Sequence, residues 1–165
     1  MMKEWAVFCR PLFNTVGTAF RNSSIVKFNE FRYFTNVKEL AGYQFQCPAL
    51  TEIILPDSII SLRQMPFSGA SQVKSINVPI NLTSIGQNVF AGLSRCETII
   101  CKQTTAPSAL TTSWCWGPVY NSIGYQTRAT GTNRVYIPKG ATGYDSEGWQ
   151  ELTHTNYGFT FVEME

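Results

Sequence analysis

The sequence predicts a β-rich solenoid in which short strands from successive coils form a parallel sheet. The first observation is a 23-residue repeat, because segment 50–72 is followed directly by the similar segment 73–95. The second is that the matched positions are mostly apolar residues, as at Ile53 and Ile76, or prolines and glycines. Self-similarity at this period is typical of architectures in which each unit buries its apolar side against its neighbours.

Each copy of the repeat opens with a short strand. In the first copy the pattern apolar-x-x-apolar-x-apolar places Ile53 and Leu55 on one face, since side chains alternate along a strand. Pro56 ends this strand and Pro79 ends the next one, because proline lacks the backbone donor that a sheet needs. We therefore expect one strand per coil, with the rest of each coil returning the chain through turns and adding apolar residues to the same interior.

The segment CETIICK (96–102) is a third copy of the strand. Cys96 takes the place of Leu50, and Cys101 takes that of Leu55. We expect both cysteines to be buried as small apolar residues. The five cysteines of the chain form no C-x-x-C pair and accompany a single histidine, a composition that argues against a zinc site.

The coil upstream of the repeat is irregular. Residues 37–49 match the second half of a coil but are one residue shorter. Before them the register has two solutions. Either Phe28, Phe31 and Tyr33 occupy the strand positions, or Ile25 and Phe28 occupy them and an insertion follows.

The apolar pattern lapses after the third copy and returns near the carboxyl end. Val135, Ile137 and Pro138 restore the strand-end pattern and predict the last strand of the sheet at 133–137. Residues 158–165 alternate apolar and polar side chains and predict a final strand of the chain. A short helix is expected between these strands, at about 141–146. The large apolar residues that would fold over the open end of the core are Tyr144, Trp149 and Leu152.

The length of 165 residues suits one domain with a single core. We expect four parts within it. These are an amino-terminal cap at 1–24, repeats at 25–102, an irregular aromatic segment at 103–132 and a carboxyl-terminal capping strand and helix at 133–165.

The repeat unit, L-x-x-I-x-(L/V)-P followed by spaced Ile/Leu, Phe and Gly, resembles the BspA-like class of leucine-rich repeats of bacterial surface antigens. The resemblance covers about residues 15–102 directly. FNEFRYFTNV (28–37) is similar to the entry segment of such arrays, and RVYIPKGATGYDSEGWQEL (134–152) is similar to their closing segment. The resemblance implies a right-handed leucine-rich-repeat solenoid with short 3-10 or helical turns and caps at both ends.

The same resemblance implies a non-enzymatic module, secreted or on a bacterial cell surface, that binds an extracellular host or bacterial protein and serves adhesion. Composition agrees with this class. Thirteen Lys and Arg against 11 Asp and Glu give a net charge of +2, which argues against a nucleic-acid partner. No apolar run reaches the roughly 18–20 residues of a membrane span, and the amino terminus lacks the features of a secretory signal.

No catalytic residue, cofactor site or metal site is predicted, because the sequence has no phosphate-binding loop and no activated-nucleophile motif. The outward side chains of the predicted strands are instead candidates for partner binding. They are Glu52, Ile54, Ser75, Asn77, Thr98 and Ile100. Ile54 and Ile100 would be apolar anchors on an otherwise polar surface.

Four aromatic residues cluster in the irregular segment and have two interpretations. They are Trp114, Trp116, Tyr120 and Tyr125. Trp and Tyr are enriched at binding hot spots and stack on sugars, so this segment is a candidate carbohydrate-binding site. Alternatively, Trp114 and Trp116 fill the core where a regular coil is missing. A structural spacer within a larger surface protein is the remaining alternative, and the sequence leaves the oligomeric state open.

Overall fold

The computed structural model describes residues 20–109, 132–153 and 157–165. They form a solenoid of about five turns, made of parallel strands with little helix, which confirms the predicted architecture. Most of the expected amino-terminal cap and most of the expected aromatic segment lie outside the described residues.

The strands are short, and most span only two residues. In the described part of the chain they are β1 (Lys27–Phe28), β2 (Glu39–Leu40), β3 (Glu52–Ile53), β4 (Ser61–Leu62), β5 (Ser75–Val78), β6 (Ser84–Ile85), β7 (Thr98–Cys101), β8 (Ser108–Ala109), β9 (Asn133–Pro138) and β10 (Phe159–Met164). Helical structure in the same residues comprises 3-10 turns at Asn29–Tyr33 and Glu151–Thr153 and one α-helix, α1 (Glu147–Gln150).

The strands form two main parallel sheets on different sides of the coil. The long sheet has the order β10-β9-β7-β5, and the short sheet has the order β2-β4-β6-β8. A separate parallel pair joins β1 to β3. The prediction of one strand per coil was therefore incomplete. The strands of the short sheet are two residues long, so they contain no alternation by which a strand is recognised in sequence.

Strand register follows the 23-residue repeat. Ile76 pairs with Ile99, and Val78 pairs with Cys101, as the sequence match requires. At the amino-terminal end, Phe28 pairs with Ile53. The second of the two predicted registers is thus correct, and the 3-10 turn after Phe28 is the insertion.

The interior is a continuous stack of apolar side chains. Leu50, Val73 and Cys96, which the repeat places at equivalent positions, are all buried. Cys101 is buried as well, as predicted. Because each coil covers the apolar side of the next, the domain gains the burial that a single coil lacks.

Phenylalanines form a second internal column. The rings of Phe20, Phe45, Phe67 and Phe90 stack in sequence, with centroid separations of 5.6, 5.8 and 6.3 Å. Such offset stacking stabilises aromatic pairs beyond their burial. Phe45, Phe67 and Phe90 lie in the turns that follow β2, β4 and β6, and Phe20 extends the column at the amino-terminal end.

The carboxyl-terminal cap differs from the prediction in its helix. The helix expected at 141–146 was wrong, because α1 begins only after Ser146, which is in an extended conformation. Gly143, within the expected helix, has a φ of +82°, which is a left-handed backbone conformation that does not occur inside a right-handed helix. The three large residues expected to close the core are all buried: Tyr144, Trp149 and Leu152.

Candidate functional site

The register of the long sheet arranges its outward side chains in two rows across the strands. The first row is polar and consists of Ser75, Thr98, Arg134 and Thr160. The second row begins with one amide and continues with apolar residues: Asn77, Ile100, Tyr136 and Val162. Neighbouring members of a row lie on adjacent strands, about 4.8 Å apart.

Apolar residues predominate on the carboxyl-terminal half of this outer face. Pro138 and Met164 pair next to the second row and point the same way. We use the name apolar patch for Ile100, Tyr136, Pro138, Val162 and Met164. Each of the five is partly exposed. Ile137, between Tyr136 and Pro138, is buried, whereas Glu163, between Val162 and Met164, is exposed.

Six outward residues in or beside this patch were missed by the sequence prediction: Arg134, Tyr136, Pro138, Thr160, Val162 and Met164. The signal for the first two was present, because the predicted strand at 133–137 buries Val135 and Ile137 and so turns their neighbours outward. The sequence predicted 133–137 as the last strand of the sheet, and β9 does pair with β7, but it did not reveal that β10 adds a further strand beyond β9.

Of the six predicted sheet-face residues, four lie on the long sheet and two do not. Ser75, Asn77, Thr98 and Ile100 share its outer face. Glu52 belongs to the β1–β3 pair, and Ile54 follows it, half-buried.

Asn77 explains why the β1–β3 pair is separate from the long sheet. Its Oδ1 accepts a hydrogen bond from the Leu55 N–H at 2.8 Å, and its Nδ2 donates to the Leu55 carbonyl at 2.9 Å. The amide therefore occupies the backbone groups that a continuous ladder would use. One donor and one acceptor of the amide are thus engaged by its own chain, which gives Asn77 a structural role on this face.

Glu52 is also engaged within the domain. Its carboxylate accepts a hydrogen bond from the Asn29 amide and forms an ion pair with the Lys27 ammonium at 3.1 Å. These two partners, Asn29 first, lower the pKa of Glu52 below its ordinary value. Both groups of the ion pair are largely exposed, so we expect the pair to contribute little to stability.

The buried thiols have the properties of core residues. Cys47 and Cys96 are buried along with Cys101. Burial raises the pKa of Cys101 to about 12, with a small opposing effect from its contact with Tyr144. A thiol that stays protonated at neutral pH is a poor nucleophile.

The described residues contain no group of three or more His, Cys, Asp or Glu that could hold a metal ion. None of their helices is sufficiently long and apolar for a membrane crossing. The aromatic candidates Trp114, Trp116, Tyr120 and Tyr125 lie outside the described residues, as does His154.

Comparison with known families decides the class of the domain. A family model of the BspA-type leucine-rich repeat region matches residues 15–109 in six copies, more than half of the chain. The chain belongs to the BspA-type leucine-rich repeat family. No curated protein matched it.

Membership of this family agrees with the geometry of the outer face. BspA-type repeats are generally non-enzymatic, are typical of protein-binding or surface modules, and expose a rigid sheet to their surroundings. In this BspA-type repeat domain the apolar patch lies on three adjacent strands of the long sheet.

Proposed function

We propose that this BspA-type repeat domain is a recognition module that binds a protein partner through the outer face of its long sheet. The observation that carries the proposal is the apolar patch, where Ile100, Tyr136 and Val162 stand side by side on hydrogen-bonded strands. Partly exposed apolar residues in one contiguous group are characteristic of contact surfaces.

The composition of this face suits an interface. Tyr136 is the natural anchor, since tyrosine buries a large area at a low cost in side-chain entropy. Thr98, Arg134 and Thr160 border it as a polar rim. Interfaces of this kind combine a central apolar group with polar residues that hydrogen-bond at the margin.

Rigidity supports the same assignment. The side chains of the patch project from strands with neighbours in a parallel ladder, and their backbones are ordered before any partner binds. A preorganised surface loses less conformational entropy on association than a loop does. The partner therefore contacts several strands at once.

We place the domain on the surface of a bacterial cell or in its surroundings, with adhesion to an extracellular host or bacterial protein as its role. The typical surface association of BspA-type repeats supports this location. No particular partner is assigned, and the chemistry required of it is an apolar contact area with hydrogen-bonding groups at its edge.

An array of extracellular-matrix, serum and bacterial surface proteins tests the proposal with two matched double variants. The first, Ile100→Ser with Tyr136→Ser, removes the centre of the patch. The second, Ser61→Ala with Ser84→Ala, changes outward residues of the short sheet and serves as the control. Thermal unfolding followed by circular dichroism verifies that both variants remain folded.

We expect the wild type and the control to capture the same partner and the patch variant to lose at least ten-fold in affinity. Equal capture by all three proteins would contradict the proposal, and an array without any binding would favour the spacer alternative. Retention on a glycan array that is lost in Trp116→Ala would favour the carbohydrate alternative.

A further inference from the structure

Lys102 stands where the repeat has proline. Pro56 and Pro79 follow the strand segments of the two preceding coils, and Lys102 follows β7 at the equivalent position, 23 residues after Pro79. Proline suits this position because the strand ends there and needs no further backbone donor. The side chain of Lys102 is exposed and takes no part in the core. Lysine at this position therefore adds a positive charge that the stacking of coils does not require.

The alternation of β7 places Lys102 on the outer face of the long sheet. Thr98 and Ile100 face outward and are partly exposed, whereas Ile99 and Cys101 are buried. Lys102 comes next and continues the outward set. At about 3.3 Å per residue, its backbone lies about 7 Å from that of Ile100. Lys102 therefore borders the apolar patch.

The ammonium group of Lys102 is not paired with a carboxylate of the domain. Among the residues that the structure describes, the ion pairs are Lys27–Glu52 and Arg63–Glu39. An exposed and unpaired ammonium group can bind a carboxylate of a partner without first losing an ion pair of its own.

The charges on the outer face of the long sheet all have one sign. Its outward residues, taken over the described strands and Lys102, include one other charged side chain, Arg134. The Arg134 guanidinium donates a hydrogen bond to the Asn133 carbonyl at 2.9 Å and remains charged while doing so. Glu163 of β10 alternates to the other side of the strand, where its carboxylate accepts a hydrogen bond from the Gly140 N–H.

We propose that the partner of the apolar patch is an acidic polypeptide segment, with an apolar side chain against Ile100 and Tyr136 and a carboxylate on Lys102. This inference rests on the proposed function and adds the chemistry of the partner to it. A face whose described outward charges are all positive attracts an anionic partner and disfavours a cationic one.

The apolar patch favours a peptide over a sulfated polysaccharide as the acidic partner. Ile100 and Tyr136 form a cross-strand pair of apolar side chains, and Lys102 lies two residues beyond Ile100. A peptide can match both features, because one chain carries apolar and acidic side chains. A sulfated polysaccharide has dense charge but no aliphatic side chain, so it would leave Ile100 without an apolar contact.

The geometry also predicts the spacing of these groups in the partner. An extended segment advances about 3.3 Å per residue, as a strand does. A segment that lies along β7 with its apolar residue at Ile100 therefore reaches Lys102 two residues away. We expect Asp or Glu at that position. A second acidic residue on the other side of the apolar one would lie toward Arg134.

A phage-displayed library of random short peptides, selected on the immobilised domain, tests the proposal. The recovered peptides should combine an aromatic or aliphatic residue with Asp or Glu two positions away. A recovered peptide, synthesised with a fluorescent label, then gives affinities by fluorescence anisotropy. Its binding should weaken as salt is raised, because salt screens charges that are exposed to solvent.

Charge reversal at Lys102 provides the decisive variant. Lys102→Glu should bind the acidic peptide about ten-fold more weakly, because an attraction is replaced by a repulsion. A peptide with Lys in place of its acidic residue should recover binding to this variant. Lys74→Glu is the matched control, since Lys74 is also exposed but precedes β5 at the opposite end of the strands. It should bind as the wild type does, and thermal unfolding verifies that both variants are folded.

Equal affinity of the wild type and Lys102→Glu would overturn the proposal. A selection that recovers no peptide, or only peptides without enriched acidic residues, would also overturn it. Retention on dextran sulfate that is lost in Lys102→Glu, together with such a selection, would replace the peptide by a sulfated polysaccharide. A protein partner that is lost by Ile100→Ser with Tyr136→Ser but bound equally by Lys102→Glu would leave the proposed function intact and remove only the acidic requirement.

Discussion

The long and short sheets share one interior but have different outer faces. Inward, both supply buried aliphatic residues, such as Ile76 on the long sheet and Leu62 on the short sheet. Outward, the long sheet has Ile100, Tyr136 and Val162, whereas the short sheet has Glu39 and serines. The serines of the short sheet are Ser61, Ser84 and Ser108.

This difference shows which apolar residues are required for the stacking of coils and which are not. Stacking requires apolar residues on the inner side of each coil, and both sheets meet that requirement. It does not require apolar residues outside, as the short sheet demonstrates. The apolar patch on the long sheet is therefore not required by coil stacking, and the proposed recognition of a partner would account for it.

The largest expected effect tests the shared interior. Leu62→Ala and Ile76→Ala should each lower the free energy of unfolding by about 2–5 kcal/mol, since each leaves a cavity in a packed core. Urea denaturation measures both. A loss below about 0.5 kcal/mol for Leu62→Ala would mean that the short sheet does not share the core of the long one.

A smaller effect is expected where successive coils touch in the turn after the short sheet. Gly92 has φ of +92°, and a Cβ there would lie 2.6 Å from the backbone nitrogen of Gly69. Gly92→Ala should therefore cost about 2 kcal/mol or more, from both the left-handed conformation and the clash. Gly140 has φ of +69° but open space, so Gly140→Ala should cost only about 1 kcal/mol. Equal losses in thermal unfolding would show that the coils are not in close contact at Gly92.

The outer face of the long sheet should itself be uneven in its contribution to stability. Asn77→Ala removes two hydrogen bonds to Leu55 and should cost about 1–3 kcal/mol. Its outward neighbour on β5 provides the control, because Ser75→Ala should change stability by less than about 0.5 kcal/mol. Chemical denaturation of both variants measures the difference, and a neutral Asn77→Ala would contradict the role assigned to its amide.

The smallest change in the free energy of unfolding at neutral pH is expected for Cys101→Val. Valine already occupies the equivalent position one coil earlier, because Val78 pairs with Cys101. The difference should emerge in alkali. The folded pKa of Cys101 is raised to about 12 from an ordinary value of 9.0, so its stabilising contribution is complete below pH 9 and is lost as pH rises toward 12. The decrease in the denaturation midpoint between pH 7 and a pH above 9 should therefore be smaller in Cys101→Val than in the wild type. Identical pH dependence would mean that the thiol is accessible to water.

Much of the fold was predictable because each repeat in the sequence corresponds to one coil of the structure. A spacing of 23 residues predicts which residues lie at equivalent positions, and Leu50, Val73 and Cys96 are all buried while β5 and β7 pair in the register of the repeat. The register around Phe28 was ambiguous, because several aromatic residues there have similar spacing. Only pairing with Ile53 separates the alternatives.

The remaining features depend on contacts between residues distant in sequence. Nothing local to Asn77 indicates that its amide bonds to Leu55, one coil away. The apolar patch was only partly predictable, because nothing in the repeat pattern indicates that β10 lies beside β9. Its anchor Tyr136 was predicted to lie on the last strand of the sheet, but its pairing with Ile100 is known only from the register of β7 and β9.

Hydroxyl-radical footprinting of the domain with its captured partner tests the recognition surface most directly, because the chain provides matched reporters. Tyr136 and Met164 lie on the outer face of the long sheet, whereas Tyr43 and Met65 follow the strands of the short sheet. We expect partner binding to reduce oxidation of Tyr136 and Met164 several-fold and to leave Tyr43 and Met65 unchanged. Protection of Tyr43 and Met65, with Tyr136 and Met164 still fully reactive, would contradict the assignment of recognition to the long sheet.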